Sequence, residues 1–278
     1  MSKLHGKVII TAALNGTRLH RGTCPTVPYS PAEIAAEAQR AANAGAAIVH
    51  FCARESGGAI SHRVEAVQET VSAINVACGA QTSITAVDPT VPVEDRLKML
   101  DARPDRALVA IGSITTAKFN YSRRRFDYDA VDGGTFADAT KLIEQSKVLG
   151  IQPVLLCQDL GQIEALTPLA AMDVLPNMAE VQLRFGGVGH ASPFVRNLVH
   201  LSTSVPPEFR WHAAVRSSSP WAFLGATLAA GGHLRVGLED CRYTPEGTIA
   251  ESSAALVDAA VRIIRAVGLQ VAEPADTE

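Results

Sequence analysis

Two short stretches hold side chains whose types and spacing could do chemistry. They are Ala47-Ile48-Val49-His50-Phe51-Cys52-Ala53-Arg54 and Gly231-Gly232-His233-Leu234-Arg235-Val236-Gly237-Leu238-Glu239-Asp240. The second reads as a buried strand. Yet Arg235 interrupts its apolar run and Glu239-Asp240 ends it, against the rule that strands buried on both faces are continuous hydrophobic segments. Alternate residues share a face, so Arg235, Gly237 and Glu239 point one way and Leu234, Val236 and Leu238 the other. A charged column on such a strand is either an ion pair that fixes packing register or part of a site. Because an uncompensated buried charge is costly, the site is the favoured reading. In the first stretch His50 and Cys52 are two apart and so share a face as well. Imidazole, thiolate and the Glu239 carboxylate make a plausible zinc set with a fourth position open to substrate, although a lone His or Cys on a buried strand is more often packing than ligand.

These residues need elements that gather strand ends at one rim. Buried β-rich runs are read over residues 8–14, 46–52, 82–87, 106–112, 152–158, 180–185, 210–215 and 233–239. Helical patterns follow them over 31–44, 63–76, 93–102, 136–149, 162–175, 193–202, 220–230 and 249–267. Ser30-Pro31-Ala32-Glu33 is a capping-box start with Pro at the first helical position. Eight βα units with right-handed crossovers close into a parallel (β/α)8 TIM barrel, for which about 250 residues is usual. Active sites of that fold lie at the carboxyl ends of the strands. There strand eight is separated from strand two only by strand one, which brings Glu239 to the rim of His50 and Cys52. A doubly wound open sheet is the alternative, disfavoured because no Gly-x-Gly-x-x-Gly turn follows any strand. The chain is expected to be one barrel domain over 1–278. Its connection over 114–135 carries four aromatics and three consecutive arginines, Arg123 to Arg125, and is expected to be an arm or lid. Residues from Gln270 onward read as a frayed polar tail.

Composition bounds the function. The chain has 278 residues, 47% hydrophobic and 19% charged, with a formal net charge of −3. Such a balance offers no electrostatic footprint for nucleic acid or an anionic membrane. The start, Met1-Ser2-Lys3-Leu4-His5-Gly6-Lys7, has no secretory leader pattern, and no apolar run approaches the ~20 residues of a membrane span. A cytoplasmic protein is expected. Five dispersed cysteines without a Cys-x-x-Cys pair indicate neither a disulfide framework nor a zinc knuckle.

The sequence resembles the β-keto acid cleavage enzymes over most of its length. The resemblance is carried by Thr11-Ala12-Ala13-Leu14-Asn15-Gly16, by Pro28 and Ser30 to Ile34, by Ala44 to His50, and above all by Gly231 to Asp240. It implies a zinc-dependent (β/α)8 enzyme that exchanges acyl groups between a β-keto acid and an acyl-CoA, giving acetoacetate when acetyl-CoA is the donor. It also suggests a homo-oligomer. The family's His-x-His pair is His50 and Cys52 here, Glu239 matches the third ligand, and Arg235 with Asp240 match the Arg and Asp that activate the reacting groups. Thr85 falls near a substrate-binding Ser. Arg18 replaces an acidic residue after the first strand, Leu156 stands where strand five would carry a carboxylate, and Leu108 where strand four would carry a hydroxyl. Asn15, Thr85, Arg18 and Arg54 are the expected substrate-binding residues, with Arg54 and the Arg123 to Arg125 run as candidates for coenzyme A phosphates.

The chemistry fits these types. Cleavage beside a ketone creates an enolate, which a metal would stabilise as a Lewis acid. Asp240, kept ionised by Arg235, is the candidate base. Missing carboxylates disfavour an amine-bearing substrate, and Arg18 would welcome a neutral or anionic tail. Two rivals stand against this reading. A metal hydrolase of the amidohydrolase type would need further His ligands on strands five and six, which have none. A barrel that has lost catalysis would bind a small acid or a partner.

Overall fold

The computed structural model describes residues 6–87, 91–132 and 134–277. Residues 1–5, most of the start over which a leader was read as absent, lie outside them. Eight parallel strands form a closed barrel: β1 (Ile10–Ala13), β2 (Ile48–Phe51), β3 (Gln81–Thr85), β4 (Arg106–Ala110), β5 (Gln152–Cys157), β6 (Glu180–Phe185), β7 (Arg210–Val215) and β8 (His233–Val236). Pairing of β8 with β1 closes it, with Arg235 opposite Thr11. All eight strands are those expected, and the fold is the (β/α)8 barrel.

Strand alternation divides the residues. Val49, Phe51, Ile84, Val109, Leu155, Val181, Leu183, Ala213 and Leu234 face outward into the main core beneath the helices. The inward set is mixed. Leu108, Ala110, Val154 and Leu156 of β4 and β5 form a separate apolar cluster inside the barrel. Glu180, Gln182, His212 and Arg235 supply buried polar groups on the next strands round, β6, β7 and β8.

Helix ends follow local chemistry. Ser30 accepts from the Glu33 amide and Glu33 accepts from the Ser30 amide, which starts the helix Pro31–Ala44; Gly45, at φ 119°, ends it. The helix expected over 162–175 is instead two short pieces, Leu160–Glu164 and Leu166–Ala171. Pro168 is the reason, since it has no N–H to donate and its ring would meet the carbonyl of Glu164. The last helix begins at Ser253, later than expected, where the Ser252 hydroxyl accepts from the Ala255 amide at 3.3 Å.

The long connection is a hairpin, not an irregular loop. Ile114–Asn120 pairs antiparallel with Arg125–Asp132. His190, in the turn after β6, lies 2.9 Å from the Thr115 carbonyl and 3.0 Å from that of Gly186, which staples the hairpin base to the barrel rim. Tyr128 reaches back over the rim to Arg18, whose guanidinium sits 4.9 Å from the ring centroid.

The expected frayed tail does not hold over the described residues. Gln270–Val271 pairs with Lys7–Val8, and Pro274–Thr277 forms a 3-10 turn. The Thr277 carbonyl accepts from Arg106 at 2.8 Å and Arg210 at 2.9 Å, plugging the amino-terminal end of the barrel. Among the described residues no helix is long and apolar enough to cross a membrane.

Candidate active site

The site is built where β8 leaves the barrel. Gly237 has φ 146°, and a Cβ there would collide with the Ala13 backbone, so only glycine lets the chain turn so close to β1. The turn that follows sets Glu239 and Asp240 over the rim, with the Glu239 amide donating to the Ala13 carbonyl at 3.3 Å. Gly16 leaves the space that the Glu239 side chain fills.

Arg235, 2% exposed, is the centre of this arrangement. Its Nε donates to Asp240 Oδ2 at 2.8 Å, its Nη2 lies 2.7 Å from Glu239 Oε2, and its Nη1 donates to Gln182 Oε1 at 3.3 Å. Burial works against its charge, but Asp240 and Glu239 outweigh burial and raise its proton affinity. Glu239 Oε2 is in ion-pair contact without an aligned hydrogen bond.

On β2, His50 is 2% exposed and its Nδ1 lies 3.0 Å from the Ser83 hydroxyl. Burial first, then the charge of Arg235, push its pKa well below the usual value, so the imidazole is neutral. Cys52 is buried beside it. Asn15, fully buried, holds the Cys52 backbone from both sides: its Nδ2 donates to the Cys52 carbonyl at 3.0 Å and its Oδ1 accepts from the Cys52 amide at 2.9 Å. A further bond from Nδ2 to the Pro28 carbonyl at 3.2 Å uses the amide fully. Asn15 therefore positions the rim.

The zinc expectation does not fit this donor set. Among the described residues no three His, Cys, Asp or Glu side chains converge closely enough to hold a metal ion. The physical obstacle is Glu239, whose carboxylate is neutralised by a buried guanidinium at 2.7 Å. A cation would have to displace that partner.

Arg54 also departs from expectation. It is 8% exposed and donates to the Asn15 carbonyl at 3.1 Å, to that of Gly58 at 2.7 Å and to that of Gly16, while stacking on Tyr29. It is committed to clamping loops and is not presented to a phosphate. Arg123, Arg124 and Arg125 are exposed around the hairpin turn. Thr85 is half-buried, its hydroxyl accepting from the Val87 amide at 3.3 Å. Arg18 is exposed at the rim and donates to the Tyr128 hydroxyl. Leu108 and Leu156 both lie inside the barrel, in the apolar cluster.

Sequence reading passed over β6. Glu180-Val181-Gln182-Leu183-Arg184-Phe185 alternates polar and apolar as β8 does, and the same rule would have found its inward column. Gln182 bridges Arg235 and His212, its Oε1 lying 3.1 Å from His212 Nε2. Arg184 stands one step further toward the rim, near Arg216 at the end of β7. A cavity of about 500 Å³, lined by Arg106, Lys147, Glu180 and Arg210 among others, opens at the opposite end of the barrel. Strand ends on that side serve stability in this fold.

Comparison with known proteins agrees with the geometry. The family model for beta-keto acid cleavage enzymes matches residues 7–278. The 3-keto-5-aminohexanoate cleavage enzyme of Fusobacterium nucleatum is 28% identical over 274 residues, covering 96% of this chain and 95% of that protein. The 3-oxoadipate:acetyl-CoA acetyltransferase of Cupriavidus necator is 27% identical over 271 residues, covering 95% and 90%. Among solved structures, ObcA with oxaloacetate superposes with a TM-score of 0.71 at 15% identity, covering 91% of this chain and 66% of that one, a likeness of fold. A matched family model spanning all but the first few residues, with its signature strand at the barrel rim, leaves one conclusion: the chain belongs to the β-keto acid cleavage enzyme family.

Proposed function

We propose that this protein cleaves a β-keto acid by acyl exchange with acetyl-CoA, releasing acetoacetate and a new acyl-CoA. The observation that carries the reading is the buried Arg235–Asp240 pair at 2.8 Å, placed where the family's signature strand leaves the barrel. Asp240, held at 2.8 Å by the Arg235 guanidinium, takes a proton from the carbon between keto group and carboxylate. The resulting enolate carbon attacks the acetyl thioester and the coenzyme A thiolate leaves. That thiolate adds to the original ketone, the bond between the ketone carbon and the former enolate carbon breaks, and Asp240 returns the proton to the acetoacetate carbanion. Negative charge develops on oxygen in each step, and Arg235 is the preorganised donor that meets it. Neutral His50, oriented by Ser83, is a second hydrogen-bonding group at the same rim.

His50, Cys52 and Glu239 are assigned to shaping this centre, and no step passes through zinc. Asn15 and Arg54 are positioning residues; Thr85 and Arg18 line the path of the substrate tail. Leu156 and Arg18 offer no counter-charge to an ammonium, so the tail is neutral or anionic. Five cysteines without a disulfide suit a cytoplasmic site of action, and the exposed Tyr121 and Phe126 of the hairpin suit contact between copies of the chain.

Purified protein given acetyl-CoA and a panel of β-keto acids with amino, alkyl and carboxyl tails tests the reading through acetoacetate formation. Turnover of an alkyl or carboxyl substrate is expected. Silence across the panel would favour the non-catalytic barrel, to which the replacement of the second family His by Cys52 gives some weight.

A further inference from the structure

We propose that Arg184 and Arg216 form a carboxylate subsite inside the barrel mouth, so that the β-keto acid cleaved here carries a second carboxylate on its tail. This inference rests on the cleavage reading and narrows its substrate class.

The first observation is an imbalance of charge. Arg184 is inward on β6 and partly buried, opposite Ala214 of β7, whose methyl leaves it uncovered. Neither Arg184 nor Arg216 has a side-chain hydrogen bond or ion pair among the described residues. The nearby carboxylates are Glu239 and Asp240, and both are engaged by Arg235, at 2.7 and 2.8 Å. Three guanidiniums thus face two carboxylates, and exposed Arg18 adds a fourth at the rim. Burial, then Arg216 and Arg235, push the Arg184 pKa down to about 9. Arginine keeps its proton at neutral pH even so, and an anion is what relieves the repulsion.

A second, independent observation lies one step deeper. Gln182 is 1% exposed, and its Oε1 must face Arg235, which can only donate. The amide orientation is therefore fixed, and Nε2 is left as a buried donor without a partner. An unpaired donor two residues below an unpaired guanidinium, on one inward column, matches the oxygens of a bound carboxylate. On the neighbouring strand β5, the pairing of Leu156 with Gln182 sets the apolar wall beside this column. Methylenes of the tail would lie on Leu108, Val154 and Leu156 while its terminal carboxylate meets the arginines, leaving the keto acid head at Arg235 and Asp240.

The same cations could instead hold the carboxylate common to every β-keto acid, or a phosphate of coenzyme A, and the test separates these. Catalytic efficiency would be measured for β-keto dicarboxylic acids and for alkyl β-keto monoacids of matched length, with wild type, Arg184→Gln, Arg184→Lys and Arg216→Gln. Wild type is expected to prefer the dicarboxylates by about tenfold or more, the ratio falling toward one in both Gln variants and being partly kept in Arg184→Lys. A wild-type preference for alkyl monoacids would overturn the subsite. So would a ratio that the Gln variants leave unmoved, or a loss appearing as a higher KM for acetyl-CoA. Thermal stabilisation by saturated dicarboxylic acids, which cannot react, gives the second readout. Stabilisation lost in Arg184→Gln, in a protein silent on every keto acid, would keep the subsite and sink the cleavage reading. Absence of stabilisation in such a silent protein would sink both.

Discussion

Arg235 holds two carboxylates and an amide at once, and this shared commitment decides how its neighbours respond to substitution. Arg235 and Asp240 act as a unit, so Arg235→Gln and Asp240→Asn are each expected to lower kcat/KM by about 100- to 10,000-fold, with the double variant little worse than either. Additive losses, in variants shown to be folded by circular dichroism, would contradict the unit. Zinc can reach His50, Cys52 and Glu239 only if Glu239 gives up its contact with Arg235. Elemental analysis after growth with added zinc is therefore expected to find well below one zinc per wild-type chain, and more in Arg235→Gln, which frees the carboxylate. A full equivalent in wild type that disappears in Glu239→Gln would restore the metal. At this scale the sequence was informative where one strand announces itself, as with Arg235, Glu239 and Asp240. Arg184 escaped because no acidic residue follows it on its strand to mark a charged pair, as Glu239 and Asp240 follow Arg235, and the roles of Asn15 and Arg54 depend on carbonyls that only the fold brings near.

Element boundaries were legible wherever a side chain bonds its own backbone. The capping box at Ser30 and Glu33 is the clearest instance, and its energetics can be separated from the rest of the fold by pH. Hydrogen bonds from the Ser30 and Tyr29 amides, then the charge of Arg21, lower the Glu33 pKa to about 2 against some opposition from burial. A carboxylate with a depressed folded-state pKa contributes stability above its unfolded value, and that contribution is lost as pH falls through the folded one. Glu33→Gln is expected to cost about 0.5–1 kcal/mol at pH 7, a capping magnitude at a half-exposed site. Urea melts should show the gap between wild type and variant constant above about pH 4.5 and narrowing toward about pH 2, where both side chains are neutral. A gap independent of pH would assign the effect to shape and not charge. Less legible were the split around Pro168, where an apolar pattern ran through a residue that cannot continue the ladder, and the hairpin over 114–132. Its alternating strands pack on no core of their own, so periodicity alone did not distinguish them from a loop.

Closure of the barrel joins distant parts of the chain, and here local reading gave least. Counting eight βα units sufficed for the architecture, because parallel strands with helical crossovers have few ways to bury both faces. The same counting left the last residues without a task, since their composition is polar and their partners lie far off in sequence. In the folded chain those residues close the amino-terminal end. Arg106 is 4% exposed, paired with Glu180 at 3.1 Å, and it spends another donor on the Thr277 carbonyl, which Arg210 shares. Lys7 meets Asp276 at 2.7 Å on the surface of the same plug, a contact exposed enough to matter little. Removing residues 274–278 would leave the Arg106 and Arg210 donors without this acceptor, at about 1–3 kcal/mol for a buried group. Each kcal/mol shifts the melting temperature of a protein this large by about 2–4 °C, so a loss of several degrees is expected. Lys7→Ala should fall well short of that loss. Because the plug sits at the opposite end from Arg235, kcat/KM below the melting transition should be unaltered in the truncated protein. A truncated chain as stable as the full one would show the tail to be the loose end that its composition suggested.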